Sequence, residues 1–129
     1  MIPVIVQGKK NPLDKTVKYY IQAAPTVPVS FERIAKNISD RCTVTEPDVL
    51  AVLNALQTEI VTAVQNGQSV RLGQLGSFRA TLTSRGVSDK NNVDIAQIRA
   101  ARVRFTMGSR LRSAMSLTNS DMKFLKKTN

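Results

Sequence analysis

Apolar and polar positions recur along this chain with two different periods, and the change of period divides it. Phe31, Ile34, Ala35 and Ile38 stand at i, i+3, i+4 and i+7, one face of a helix, and Ser30 before them is a suitable N-cap. The spacing predicts a helix from Phe31 to about Arg41. A longer helix is expected after Thr45, with Asp48 in the capping-box position and Pro47 in the first turn, where a missing amide hydrogen costs little. Val49, Val52, Leu53, Leu56, Ile60, Ala63 and Val64 sustain its period to Gly67, which suits a left-handed helix stop.

Beyond Gly67 the period is 2. Val70 and Leu72 alternate with Ser69 and Arg71, the stretch Gly73 to Gly76 turns the chain, and Phe78, Ala80 and Leu82 alternate with Arg79, Thr81 and Thr83. A third strand, roughly Arg102 to Thr106, sets Val103 and Phe105 against Arg102, Arg104 and Thr106. Each strand therefore has one apolar face and one Arg/Thr face. With the apolar faces laid on the two helices, Arg71, Arg79, Arg85, Arg102 and Arg104 fall on the far side as a solvated cationic platform. A short helix from about Ser109 to Met115 follows.

Upstream, residues 2–6 and 16–23 are rich in Val, Ile and Tyr and flank strong turn signals from Gly8 to Asp14, which predicts a hairpin. Ala24 to Pro28 then interrupts regular structure. The expected organisation is a hairpin extension and linker (1–28), an α+β domain (29–115) and a basic tail (116–129) whose Lys123, Lys126 and Lys127 act only through charge. Between Arg85 and Arg99 two forms stay open: Ser88 capping a turn over Asp89 to Asn92, or Val93 and Ile95 pairing with the strand before.

Charge narrows the class of partner. Residues 68–129 hold twelve Lys or Arg against three acids, whereas residues 1–67 hold seven against six. A net charge of +10 points to a polyanion, nucleic acid first and an anionic membrane surface second. Aromatics at 5% and the absence of Trp imply a thin core, a shortage that a shared dimer interface would relieve.

Absences exclude several chemistries. With no His and a lone Cys42, cysteine-rich or histidine metal sites and intrachain disulfides are not expected, and Cys42 reads as a small packing residue. Neither a nucleophile–base pair nor a phosphate-loop Lys-Ser or Lys-Thr after Gly73 and Gly76 is present, so no enzyme, small-molecule substrate or cofactor is expected. Adjacent Tyr19 and Tyr20 can have only one ring facing a core, and edge packing is the simpler role for the other. The apolar start is only six residues long and no run reaches the roughly 18 apolar residues of a membrane span, which makes a cytoplasmic protein the expectation.

The run Gly67 to Phe78 resembles the "Gly-x-x-Val-x-Leu-x-Gly-Phe-Gly-x-Phe" of the HU/IHF family of bacterial histone-like proteins, with Leu75 in place of the usual aromatic. Val103 to Leu111 is similar to that family's junction between last strand and last helix. The likeness covers about Val29 to Met115, and the N-terminal extension resembles a longer HU-like variant of Bacteroides-type bacteria. It implies an intertwined homodimer with two N-terminal helices under a three-stranded antiparallel saddle sheet and a short C-terminal helix. It also implies largely sequence-nonspecific binding of double-stranded DNA in the nucleoid, with Arg71, Arg79, Arg85, Arg99, Arg102, Arg104, Arg110 and Arg112 as the DNA-binding set. The family's arm-tip Pro and Arg-rich arm have no counterpart between Arg85 and Arg99, so reduced or absent arm-driven kinking is expected. The competing readings are an HU-fold scaffold for a protein partner, using the hairpin's free strand edge, and RNA binding.

Overall fold

The computed structural model describes residues 1–127. In chain order its elements are β1 (Ile2–Lys10), β2 (Val17–Ala23), α1 (Phe31–Ser39), α2 (Glu46–Gln65), β3 (Val70–Leu72), β4 (Gly76–Ser84), β5 (Ile98–Met107), α3 (Ser109–Ala114) and β6 (Phe124–Lys126). They form two compact units, Val29–Leu111 and Met1–Pro28 joined by the chain from Arg112 onward.

In the larger unit the helix ends follow local chemistry. Ser30 caps α1 by accepting from the Arg33 amide at 3.3 Å, and Thr45 caps α2 by accepting from the Asp48 amide at 3.4 Å. The Thr45 hydroxyl in turn donates to the Asp48 carboxylate at 2.8 Å. At the far end Gly67 has φ +77°; its amide donates to Val64 O and the Gln68 amide to Ala63 O, the paired bonds of a Schellman stop. The α1 helix packs on α2, which also contacts β4 and β3, and Ala35 of α1 and Val49 of α2 are buried.

The three-stranded antiparallel sheet has the order β3-β4-β5. Its first turn, Leu72 to Leu75, closes with Leu75 N donating to Leu72 O at 3.0 Å and has Gly73 at φ +53°, the first central position of a hairpin turn that favours Gly. Gly108 lies against this turn, its amide donating to Leu75 O at 2.9 Å, and the Arg110 amide reaches Gln74 O at 3.1 Å. A Cβ on Gly108 would enter the Gln74 carbonyl and stand 2.9 Å from Gly76 N, all backbone atoms that cannot swing aside. The start of α3 is thereby fixed to the end of the sheet.

The smaller unit is a second sheet, order β2-β1-β6. Its hairpin is closed by Asn11 N to Thr16 O at 2.8 Å, with Lys15 at φ +60°. Asp14 accepts from the Thr16 hydroxyl at 2.7 Å and its amide at 3.0 Å; these bonds, the hydroxyl's first, hold its carboxyl below the ordinary value. The segment from 116 onward is more than the charged tail expected, because Phe124–Lys126 runs parallel to β1 with Ile2 opposite Phe124. Residues 128 and 129 of that expected tail lie outside the described residues.

Three further placements differ from expectation. Cys42 is exposed in the turn after α1 and is not a packing residue. Of the two forms open for residues 85–97 the compact turn is the one present, as single 3-10 turns at Lys90–Asn92 and Ile95–Gln97, but its cap differs. Asp89, and not Ser88, caps the first, and Asp94 with Gln97 makes a capping box on the second. The helices also leave much of the sheet's apolar face bare: Leu82 remains 63% and Val103 56% exposed. No helix among the described residues is long and apolar enough to cross a membrane.

Gly108→Ala is expected to destabilise the fold by about 1–3 kcal/mol through overpacking against backbone. Gly86→Ala, where nothing lies within 4 Å, is expected to be neutral or to stabilise by about 0.4–1 kcal/mol. Urea denaturation midpoints at one fixed protein concentration separate the two.

Candidate nucleic-acid interface

The face of the β3-β4-β5 sheet is sorted by register. Phe78 pairs with Val70 on one side and Phe105 on the other, and the Phe78 and Phe105 rings meet with centroids 5.0 Å apart. Residues directly opposite in an antiparallel pair share a face, so Val70, Phe78, Ala80, Val103 and Phe105 lie together. The alternate positions form the other face: Arg71 opposite Ser77, Ser77 opposite Thr106, Arg79 opposite Arg104, and Thr81 opposite Arg102. Four of the eight arginines singled out in the sequence, Arg71, Arg79, Arg102 and Arg104, are thus brought to one face, all exposed.

The arrangement sets Arg79 and Arg104 side by side without an intervening acid on the ladder. Like charges directly opposite one another cost up to about 1 kcal/mol. An anion lying across the pair would offset that repulsion. The face also presents the hydroxyls of Ser77 and Thr106, short donors suited to phosphate oxygens that the charge pattern alone did not bring forward, while the Thr81 hydroxyl donates to Arg102 O at 3.5 Å. Their alternation with the apolar residues was the available signal.

The other four arginines sit elsewhere. Arg99 is the extra residue at an irregularity in which Thr83 pairs with Ala100 but Ser84 with Ile98, so the alternation that runs through Arg102 and Arg104 does not extend to it. Arg85 lies past the end of β4, not on the platform. Its amide donates to Gln97 O at 2.9 Å, and it borders a cavity of about 540 Å³ shared with Leu82, Val87, Val93, Ile95 and Ile98. Arg110 is the second residue of α3, held to the Gly73 turn through its amide. Arg112 belongs to the smaller unit.

A family model described as an HU domain fused to a wHTH, Ig or glycine-rich motif matches residues 3–122. The chain belongs to this HU-HIG family. The match takes in the N-terminal hairpin as well as the larger unit. Among solved structures, a candidate bacterial DNA-binding protein from Bacteroides vulgatus ATCC 8482 is similar at 21% identity and a TM-score of 0.64, over 97% of this chain. The present chain spans only 47% of that protein's length. Anabaena HU, crystallised with DNA, is similar at 23% identity and a TM-score of 0.55, over 69% of this chain and 99% of its own. A search of curated proteins finds no match.

In this HU-HIG chain the clustered arginines should make stability depend on ionic strength. The thermal midpoint is expected to rise as salt is raised from about 0.02 to 0.3 M, because screening relieves repulsion on the sheet face. Arg79→Gln should flatten that rise, as read by calorimetry across a salt series.

Proposed function

We propose that this HU-HIG protein binds duplex DNA as a homodimer, without catalysis and with little sequence preference. The observation that carries this reading is the exposed sheet face on which Arg79 stands opposite Arg104, flanked by Arg71 and Arg102. Guanidinium groups there replace the condensed counterions of the phosphate backbone, and the released ions provide the driving force. Ser77 and Thr106 add uncharged donors to phosphate.

The dimer reading rests on what one chain leaves uncovered. Among the described residues only Val4, Ala35 and Val49 are buried apolar ones, while Val52, Leu56 and Val61 of α2 and Leu82 and Val103 of the sheet are exposed. Between the end of α2 and the sheet lies an open groove of about 630 Å³, lined by Val64, Ala80, Leu82, Ala101 and Val103 among others. A second copy presenting the same apolar surfaces would fill it, as isologous association requires. Kinking is a smaller part of this mechanism than backbone contact. Residues 85–97 fold back through two capped turns and contain no Pro to wedge between base steps.

Fluorescence anisotropy on a labelled duplex tests the binding. The four arginines on each of two protomers should together contribute about −7 to the slope of log K against log salt, each phosphate contributing roughly −0.9. Arg79→Glu with Arg104→Glu should abolish binding at 0.1 M salt while sedimentation still shows a dimer; retained affinity would move the site off this face. Val103→Asp is expected to shift the protein to monomer in sedimentation and to lower its thermal midpoint. A Val103→Asp protein that remained dimeric would remove the sheet's apolar face from the interface.

A further inference from the structure

The larger unit is not where positive charge is densest. Because β6 returns to β1, the smaller unit gathers eight of the nineteen Lys and Arg against two of the nine acids, net +6 on 46 residues, whereas the larger unit carries net +4 on 83. Within that unit Lys9 pairs directly with Lys18 across β1 and β2. Opposed residues share a face, so two ammonium groups are held next to each other on a hairpin whose turn is fixed by hydrogen bonds. Tyr20 lies on the same face opposite Gln7, with Lys9 Nζ 5.8 Å from its ring centroid. Lys9, Lys10, Lys18, Tyr20, Asn11 and Thr16 line an open concavity of about 220 Å³.

The hairpin's one acid does not neutralise this cluster. Asp14 is engaged by the hydroxyl and amide of Thr16, and it is absent from the lining of the concavity. The geometry points to a second polyanion contact here, taking the phosphate backbone of nucleic acid. This inference rests on the DNA-binding reading above and adds a site outside the HU-type unit. Two lysines opposed across a hairpin stand about 5 Å apart at Cα, and each strand of a duplex offers a charge per roughly 3.4 Å of axis, so neighbouring phosphates can be engaged together. The concavity is open, and the Tyr20 hydroxyl and the Asn11 amide lie beside the ammonium groups as hydrogen-bonding groups.

A lipid surface fits less well. Membrane-surface binding needs apolar side chains beside the lysines to enter the headgroup boundary. On this face the lysines are followed by Gln7, Tyr20 and Gln22, with the Gln22 amide donating to Gln7, and the aliphatic Ile5 beyond them is half-buried, whereas Val17, Tyr19 and Ile21 alternate onto the opposite face.

The test compares the full chain with Lys9→Gln/Lys18→Gln and with a control, Lys36→Gln/Arg41→Gln, that removes the same charge elsewhere. Affinity for a labelled duplex is measured across salt. The slope of log K against log salt should fall in magnitude by about 1.8 per chain in the first variant, from two lost phosphate contacts, and stay at the wild-type value in the control. Lys18→Gln alone should give half that loss. A thermal midpoint of Lys9→Gln/Lys18→Gln at or above wild type shows that the hairpin is intact, as expected once the opposed charges are removed.

Wild-type protein that fails to bind duplex at any salt overturns the proposed function itself. Wild-type binding with an unchanged slope in Lys9→Gln/Lys18→Gln overturns only this second contact. Equal losses in both double variants also overturn it, leaving net charge as the cause. Loss of binding to phosphatidylglycerol vesicles in Lys9→Gln/Lys18→Gln, with the DNA slope unchanged, reassigns the patch to membranes.

Discussion

Pairing Phe78 with Phe105 sets the parity of the whole β4–β5 ladder, and the larger unit's two surfaces follow from it. A strand's side chains alternate, so once those rings share a face every arginine two or four residues away is committed to the opposite one. Slipping the pairing by one residue would put Arg104 among Phe78 and Ala80, where an unpaired guanidinium is costly to bury. The turn at Gly73 and the seating of Gly108 against Gln74 and Gly76 defend that register at its closed end. At the open end the irregularity beside Thr83 and Ser84 lets the pattern change, and Ile98 comes opposite Ser84.

The same alternation that exposes a cationic face creates an apolar one, and a single chain is too small to cover it. The two helices bury Ala35 and Val49 but leave Leu82 and Val103 largely in solvent. Exposed contiguous apolar surface of this kind is unusual in a stable monomer. In the proposed dimer the two faces would be linked, because a sheet held by a partner on its apolar side would hold its arginines in fixed spacing on the other.

The smaller unit follows a different logic. It takes its third strand from the far end of the chain, so the charge seen in the second half of the sequence is divided in space between the two units. The Lys9–Lys18 rung is tolerated as Arg79–Arg104 is, by exposure and by screening, at a modest cost that an anion would offset. The HU-HIG match, residues 3–122, takes in the larger unit and the β1–β2 hairpin and ends before β6.

Local interactions were legible in the sequence. Ser30 and Thr45 as caps, Gly67 as the helix stop and the period-2 strands depend on neighbours within a few residues, and the resemblance carried by Gly67 to Phe78 led to the family. From alternation alone, Arg71, Arg79, Arg102 and Arg104 could be placed on one face. Contacts between distant residues decided the rest. Extending the alternation to Arg85 and Arg99 fails because the chain leaves β4 at one and the ladder shifts at the other. Cys42 carries no sequence signal that separates an exposed turn from a packed one. The parallel pairing of Phe124–Lys126 with β1 leaves no local pattern either, since its hydrogen bonds join backbone groups more than a hundred residues apart and are specified only when the units have folded.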